Sequence, residues 1–232
     1  MTDIEKYIYK TELHCHTSPA SVCADFSVEE VFKLYSEAGY HSVVLTNHFQ
    51  YNPTTQNSDK IKALLSDYKK AEKLCKKYSI NAIFGIELRF NEGNANDYLF
   101  YGVAPEEMEK IAEYLDGSLE NFYKNYKNEN NILIQAHPFR DRNYPANPEF
   151  VDGIEVFNLH PGHNSRIGFA AKHAKKYGKI VTAGTDFHHE GHHCLCAMLT
   201  REPICDSFEL ARVLKSGDYM LSISGILVSP RG

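Results

Sequence analysis

No Cys-x-x-Cys pair occurs in this chain, although it holds six cysteines (Cys15, Cys23, Cys75, Cys194, Cys196, Cys205). Their scatter argues against both a zinc knuckle and a disulfide framework. Long apolar runs are also missing. Nothing approaches the roughly 20 residues that a membrane helix needs, so no membrane partner is expected. Basic charge is in deficit, with 25 Lys and Arg against 30 Asp and Glu and a net charge of -5. That balance gives no footing for an anionic membrane surface and weighs against long nucleic acid. Residues Met1 to Lys6 lack the basic start and apolar core of a secretion signal, which points to a cytoplasmic protein. Repeats, low-complexity tracts and linkers are absent, so the 232 residues read as one domain over 1–232. A chain of this length can bury a core without staples.

What the chain does have is histidine and carboxylate at the ends of its apolar runs. The run 7–13 ends in His14-Cys15-His16, the run 42–46 leads to His48, 81–86 to Glu87, 132–136 to His137, and 179–184 to Asp186-Phe187-His188. On a strand, residues i and i+2 share a face, so His14 and His16 can converge on one point while Cys15 turns away into packing. Between these runs lie helical patterns: 27–38 with Ser27 and Glu30 placed as a capping box, 57–78, 105–115, 119–128, 164–177 and 208–215. Further strands are expected at 98–103, 153–157 and 219–223.

Strands separated by helices predict a parallel α/β sheet. Ligands at the C-terminal ends of successive strands favour a β/α barrel, whose site lies on that rim. An open doubly wound sheet would gather them at one switch point. Imidazoles suit Zn, Mn or Fe, and carboxylates can bridge two ions, so the set reads as one polynuclear centre with Glu87 as bridge. A closely spaced ion pair holds a phosphate, activates water near neutral pH and stabilises a leaving oxygen.

His14-x-His16, Thr46-Asn47-His48, Gly85-Ile86-Glu87, Ala136-His137-Pro138 and Gly184-Thr185-Asp186-Phe187-His188 resemble, in order, the motifs of the polymerase and histidinol phosphatase (PHP) superfamily. The resemblance spans about Tyr9 to His188. It implies a distorted (β/α)7 barrel that holds two or three divalent ions and hydrolyses phosphate esters. By the same resemblance His14, His16, Glu87 and Asp186 hold one ion, and Glu87 and His137 a second. Many members have a fourth-strand His at the remaining position; here Asp97 is the substitute. A third ion takes His48, His188 and Asp25, the last chosen over Cys23. Asn47 stands where an Asp is usual and is read as orienting its turn.

Arg140 is the expected phosphate grip because a guanidinium forks onto two oxygens, with Arg166 as second choice. His160 and His163 follow the sixth strand as proton donor, ligand or substrate contact, or else as part of a capping loop. Glu87, Asp186 and His160 form the expected catalytic set. The tract His188-His189-Glu190-Gly191-His192-His193-Cys194 mimics a self-contained metal tract, but only Asp186 and His188 fit the rim. The expected function is therefore a metal-dependent phosphoesterase acting on a small phosphate ester, histidinol phosphate or a nucleotide-type ester. A metal-stabilised binding or regulatory module is the alternative, and an amidohydrolase-type enzyme the third reading, although Glu87 occupies the bridging position where that class usually has a Lys.

Overall fold

The computed structural model describes residues 3–54 and 56–230. Met1, Thr2, Thr55, Arg231 and Gly232, which the single-domain reading includes, lie outside the described residues. The elements run β1 (Tyr9–Cys15), α1 (Val28–Glu37), β2 (Ser42–Leu45), β3 (His48–Gln50), α2 (Asn57–Tyr78), β4 (Asn81–Phe84), β5 (Ile86–Arg89), β6 (Tyr98–Tyr101), α3 (Met108–Ala112), α4 (Leu119–Asn125) and β7 (Ile132–Gln135). They continue with β8 (Gly153–Asn158), α5 (Ile167–Tyr177), β9 (Ile180–Gly184), β10 (Cys196–Thr200), α6 (Ser207–Ser216), β11 (Met220–Ile223) and β12 (Ile226–Val228).

Local chemistry sets these boundaries. The Ser27 side chain accepts from Glu30 N–H, and Glu30 reaches back to Ser27 N–H, so the capping box starts α1. Gly39, at φ +73°, supplies the left-handed residue just past its end. The helix predicted from 164 begins only at Ile167. Arg166 stands in the left-handed region at φ 46°, with its guanidinium tied to Phe139 O and Asp141, so the turn before it cannot be helical. The pattern over 105–115 yields a short 3-10 turn and then α3 alone.

The strands form two six-stranded sheets, β12-β11-β10-β1-β2-β4 and β3-β5-β6-β7-β8-β9. A single closed ladder, expected of a barrel, is not formed among the described residues, and the interruptions have local causes. Between β2 and β3, Thr46 and Asn47 turn their side chains onto the neighbouring backbone. Thr46 Oγ1 accepts from Cys15 N–H at 2.9 Å, and Asn47 Oδ1 from Thr17 N–H at 2.7 Å. Gly85 divides β4 from β5, where an added Cβ would lie 2.7 Å from Val44. Hydrogen bonds still cross this seam, from Gly85 N to Leu45 O at 3.1 Å and from Glu87 N to Asn47 O at 3.3 Å. At the other seam β9 meets β1 through a Cys15–Phe187 bridge, with His16 N donating to Phe187 O at 3.1 Å.

Strands β6, β10 and the β11–β12 hairpin depart from parallel pairing. β6 is antiparallel to both β5 and β7. Its link from β5 carries no helix, and a direct link allows only the antiparallel return. β10, unanticipated in the sequence, lies antiparallel between β1 and β11 with all five residues buried. Its short apolar stretch follows the His/Cys tract and was masked by it.

Under the rim, Leu13, Val44, Ile83, Leu99, Ile134 and Ala183 pack as one buried cluster contributed by β1, β2, β4, β6, β7 and β9. This floor fixes the strand ends above it. A second cluster, with Phe32, Tyr35, Leu45 and Phe187, seats α1 against the β1 seam. No described helix is long and apolar enough to cross a membrane.

Candidate metal centre

β1 ends in a slip of register against β2, three residues opposing two between Glu12 and Cys15, and just there His14 and His16 bring their Nε2 atoms to 3.1 Å. Both rings are fully buried. The His14 Nδ1 faces Glu155 Oε1 at 2.8 Å, which leaves Nε2 for the centre. His16 Nδ1 faces Ser21 Oγ at 3.2 Å, and Ser21 donates to Asn47 Oδ1 at 2.8 Å. Asn47 thus orients the turn that carries His16.

Glu87 is the hub. Its Oε1 lies 3.3 Å from both His14 Nε2 and His137 Nε2, and its Oε2 lies 2.6 Å from His48 Nδ1 and 3.5 Å from His16 Nε2. Asp186 Oδ1 stands 3.4 Å from His14 and His16 Nε2 and 3.3 Å from His188 Nδ1. His137 and Asp186 are held at φ +30° and +52°, a conformation that costs on the order of 1–3 kcal/mol for a non-glycine residue and that aims both side chains inward.

Three donor groupings result: His14–His16–Asp186, His14–Glu87–His137 and His16–His48–His188, each with its ligand atoms within 4.8 Å of one another. The arrangement fits divalent cations. Buried Glu87 Oε2 and His48 Nδ1 lie 2.6 Å apart, yet neither has a properly directed hydrogen bond. A cation among these donors would satisfy both.

Electrostatics bind the cluster together. Burial would push the Glu87 carboxyl up, but His48 and His14 hold it well below its ordinary value. Asp186 is likewise depressed against burial, by His14 and His16. Burial would lower His14, but the charges of Glu155, Asp186 and Glu87 raise it well above normal. His48 is raised to about 10, because Glu87 and then Cys23 outweigh its burial. His16 goes the other way, lowered by burial and by the neighbouring His48 and His188.

Four expected site residues sit differently from the sequence reading. Asp25 is exposed and faces His189 at 2.8 Å, because its loop turns outward; Cys23, also exposed, lies on the cavity with His48 and His188, whose influence lowers its thiol to about 6 against the effect of burial. Asp97 is buried at the rim, but both of its oxygens are taken by Arg89 at 2.7 Å, and His137 Nε2 is 3.9 Å away. Arg166 is exposed and bonded to Phe139 O and Asp141, outside the main cavity. His160, whose ring stacks on His163 at 4.1 Å, is lowered to about 3 by burial and by His163, His192 and His188, so it is neutral at pH 7.

Arg140, His160 and His163 do line a 760 Å³ cavity that opens onto Asp186 and His188. The sequence reading missed Arg89 and Lys60 on the same wall, and Glu155 behind His14. Arg89 was legible, since it follows Glu87 by two residues on one strand. Glu155 carried no signal, because its partner is 141 positions away.

Gly184 marks how tight the packing is. A Cβ there would lie 2.4 Å from both Glu155 Oε1 and His14 Cβ. A Gly184→Ala variant is expected to melt lower, by about 1–3 kcal/mol, and to bind metal about 10- to 100-fold more weakly as His14 is displaced. Thermal melts with chelator-competition titrations check both; parental metal affinity would show that His14 has not moved.

A family model described as the PHP domain matches residues 12–194. Curated proteins give no match. Among solved structures, PsfC from Pseudomonas syringae superposes with a TM-score of 0.61 at 13% identity, over 88% of this chain and 87% of that one. A two-domain protein from Bacteroides vulgatus containing a predicted PHP-like metal-dependent phosphoesterase superposes with a TM-score of 0.59 at 15% identity, over 94% of this chain and 66% of that one. An amidohydrolase from Chromobacterium violaceum, solved with sulfate and without metal, gives 0.55 at 14% identity, over 95% and 98% of the two chains. At these identities the likeness is one of fold.

Proposed function

This chain belongs to the PHP domain family, and from that premise we propose that it is a metal-dependent phosphoesterase acting on a small phosphate ester, histidinol phosphate or a nucleotide-type ester. The observation that carries the reading is the convergence of His14, His16, Glu87, His137 and Asp186 on one buried point, with His48 and His188 beside it. We read the strands as a distorted barrel of seven staves (β1, β2–β3, β4–β5, β6, β7, β8, β9), a single domain in a cytoplasmic setting.

His14, His16, Glu87 and Asp186 would hold one ion and Glu87 with His137 a second; His48 and His188, with Cys23 in place of Asp25, suit a third. Zn, Mn or Fe fit these donors. Bound ions would supply activated water and neutralise charge on the phosphoryl group. The chain's own groups do the rest. Arg140, whose Nη1 is 3.7 Å from Asp186 Oδ2, orients the phosphate at the rim. His160 and His163 close the far wall. For His160 to protonate a leaving oxygen, the negative charge of the substrate must first raise its lowered pKa.

The amidohydrolase reading is less well supported. Lys60, the lysine on the cavity wall, donates to Ala20 O at 2.6 Å and bridges no carboxylate. A non-catalytic binding module would use the same cavity, and hydrolysis is what separates the two readings.

Elemental analysis of the untagged protein, with a phosphatase screen before and after chelation and add-back, tests the proposal. Two or three ions per chain and hydrolysis that leaves and returns with metal are expected. Stoichiometric metal without hydrolysis of any phosphate ester would favour the binding module instead.

A further inference from the structure

Arg89 and Arg140 approach one carboxylate from two elements. Arg89 follows Glu87 on β5, and the connection from 90 to 97 folds back to set Asp97 beside it, just before antiparallel β6. Arg89 Nε and Nη2 each donate at 2.7 Å, one to either oxygen of Asp97. Arg140 Nη2 reaches Asp97 Oδ2 at 3.4 Å, while its Nε is 3.4 Å from Asn143 Oδ1. Asp97 is 1% exposed, whereas both arginines open onto the cavity shared with Asp186 and His188.

We propose that Asp97 is a positioning residue, which holds Arg89 and Arg140 as a paired guanidinium clamp for the dianionic terminal phosphate of a phosphomonoester. The proposal deepens the phosphoesterase reading and rests on it. Three features argue for an anchor rather than a metal ligand at Asp97. Both of its oxygens already carry charge-assisted bonds to Arg89, the strong bidentate geometry. It belongs to none of the three donor groupings. A divalent ion bound to it would also sit against two guanidinium charges, a repulsion the low-dielectric rim would strengthen.

The clamp keeps capacity for a ligand. A guanidinium has five N–H donors; Arg89 spends two on Asp97, and the remaining three can turn to the cavity. Arg140 Nη1 also lies 3.7 Å from Asp186 Oδ2, so with Asp186 engaged by bound ions, two guanidinium charges against Asp97 alone leave a net charge of +1 at the clamp. A phosphomonoester carries close to two negative charges at neutral pH, its second pKa being about 6, and presents three terminal oxygens. A diester has one charge and two such oxygens, so a pair of forks beside the metal ligands suits the monoester. Gln50, the strand partner of Arg89, with Tyr51 and Asn52 after it, lines the same cavity and offers neutral polar groups to the leaving alcohol.

The test uses the full-length, metal-loaded protein and inorganic phosphate as probe, with titration calorimetry, elemental analysis and thermal melts on Arg89→Met, Arg89→Lys and Asp97→Asn. Each variant is expected to keep the parental metal content. Arg89→Met and Asp97→Asn should weaken phosphate binding about 10- to 100-fold, the range for losing a charge-assisted contact. Arg89→Lys should fall between, keeping charge but not the fork, and so guards against an unfolded Met variant. With a chromogenic phosphomonoester, the loss at Asp97→Asn should appear mainly in KM. Loss of metal from Asp97→Asn, with parental phosphate affinity once metal is restored in excess, would make Asp97 a ligand and overturn the proposal. Parental phosphate affinity in Arg89→Met would overturn the clamp alone. A parent that holds its metal and binds no phosphate would instead bring down the phosphoesterase reading beneath it.

Discussion

Glu87→Gln is expected to fold, to lose metal and to lose at least about 100-fold in hydrolysis, the lower bound set by disturbing even the outer shell of a metal site. One carboxylate serves four imidazoles, at 2.6 Å from His48, 3.3 Å from His14 and His137, and 3.5 Å from His16. An amide of the same shape keeps one acceptor, turns a donor toward the others and removes the charge. No other carboxylate can replace it, because Asp186 is 3.9 Å from His137 and Asp97 is engaged by Arg89. A second consequence is specific to the charge. Glu87 is the chief force raising His48 to about 10, against a burial that lowers it. In the metal-free variant His48 should therefore titrate well below about 10, with Cys23 and Asp97 still raising it against burial, which imidazole NMR resonances followed against pH would reveal. A variant with parental metal content and rate would remove Glu87 from the centre.

The sequence made the inner part of this site legible because it is written in strand ends. His14, His16, Glu87, His137 and Asp186 each follow an apolar run, and strand geometry alone sends such residues to one rim. What escaped were contacts set by loops. Between His16 and α1, nothing in the spelling Cys23-Ala24-Asp25 decides which residue turns inward; the hydrogen bonds of Ser21 N to Thr17 O and of Asp25 N to His188 O make that choice. For Asp97, a carboxylate near other ligands looks the same in sequence whether a cation or an arginine faces it, so the paired bonds from Arg89 could not be read there. The fold divides in the same way. Helices α1, started by its capping box, and α2, long enough for its period to show without a side-chain cap, lie where periodicity puts them. The direction of β6 depended on connection length instead, so it runs against the parallel rule, and β10 was hidden by the histidine tract that precedes it.

Chelation should expose an opposition between protons and metal at this rim. In the metal-free chain at pH 7, His14 is held protonated by Glu155, Asp186 and Glu87, and His48, raised to about 10, is protonated too. A metal needs the imidazole lone pair, so loading must release both protons. The sign is fixed: affinity rises with pH, by about tenfold per unit for each of the ions that displaces one of these protons. His16, lowered by burial and its cationic neighbours, is already neutral and adds no such dependence, which makes it the first lone pair open to an entering ion. Chelator competition across pH 6.5 to about 8.5, at constant salt, measures the slope, and calorimetry in two buffers of different ionisation heat counts the protons. Stability should follow the same groups. Raised histidines stabilise the metal-free fold fully below 6.5 and lose that contribution as pH climbs through about 10 at His48. The depressed carboxylates Glu87 and Asp186 stabilise above their ordinary values of 4.5 and 3.8 and lose it as pH falls through their lowered ones. Chelated protein should therefore melt progressively lower from about pH 6.5 to about 10, while loaded protein, its imidazoles already deprotonated and bound, should not. An affinity flat across that range would mean that the ions do not bind at these histidines, and the rim would then be an ion-paired core without a metal.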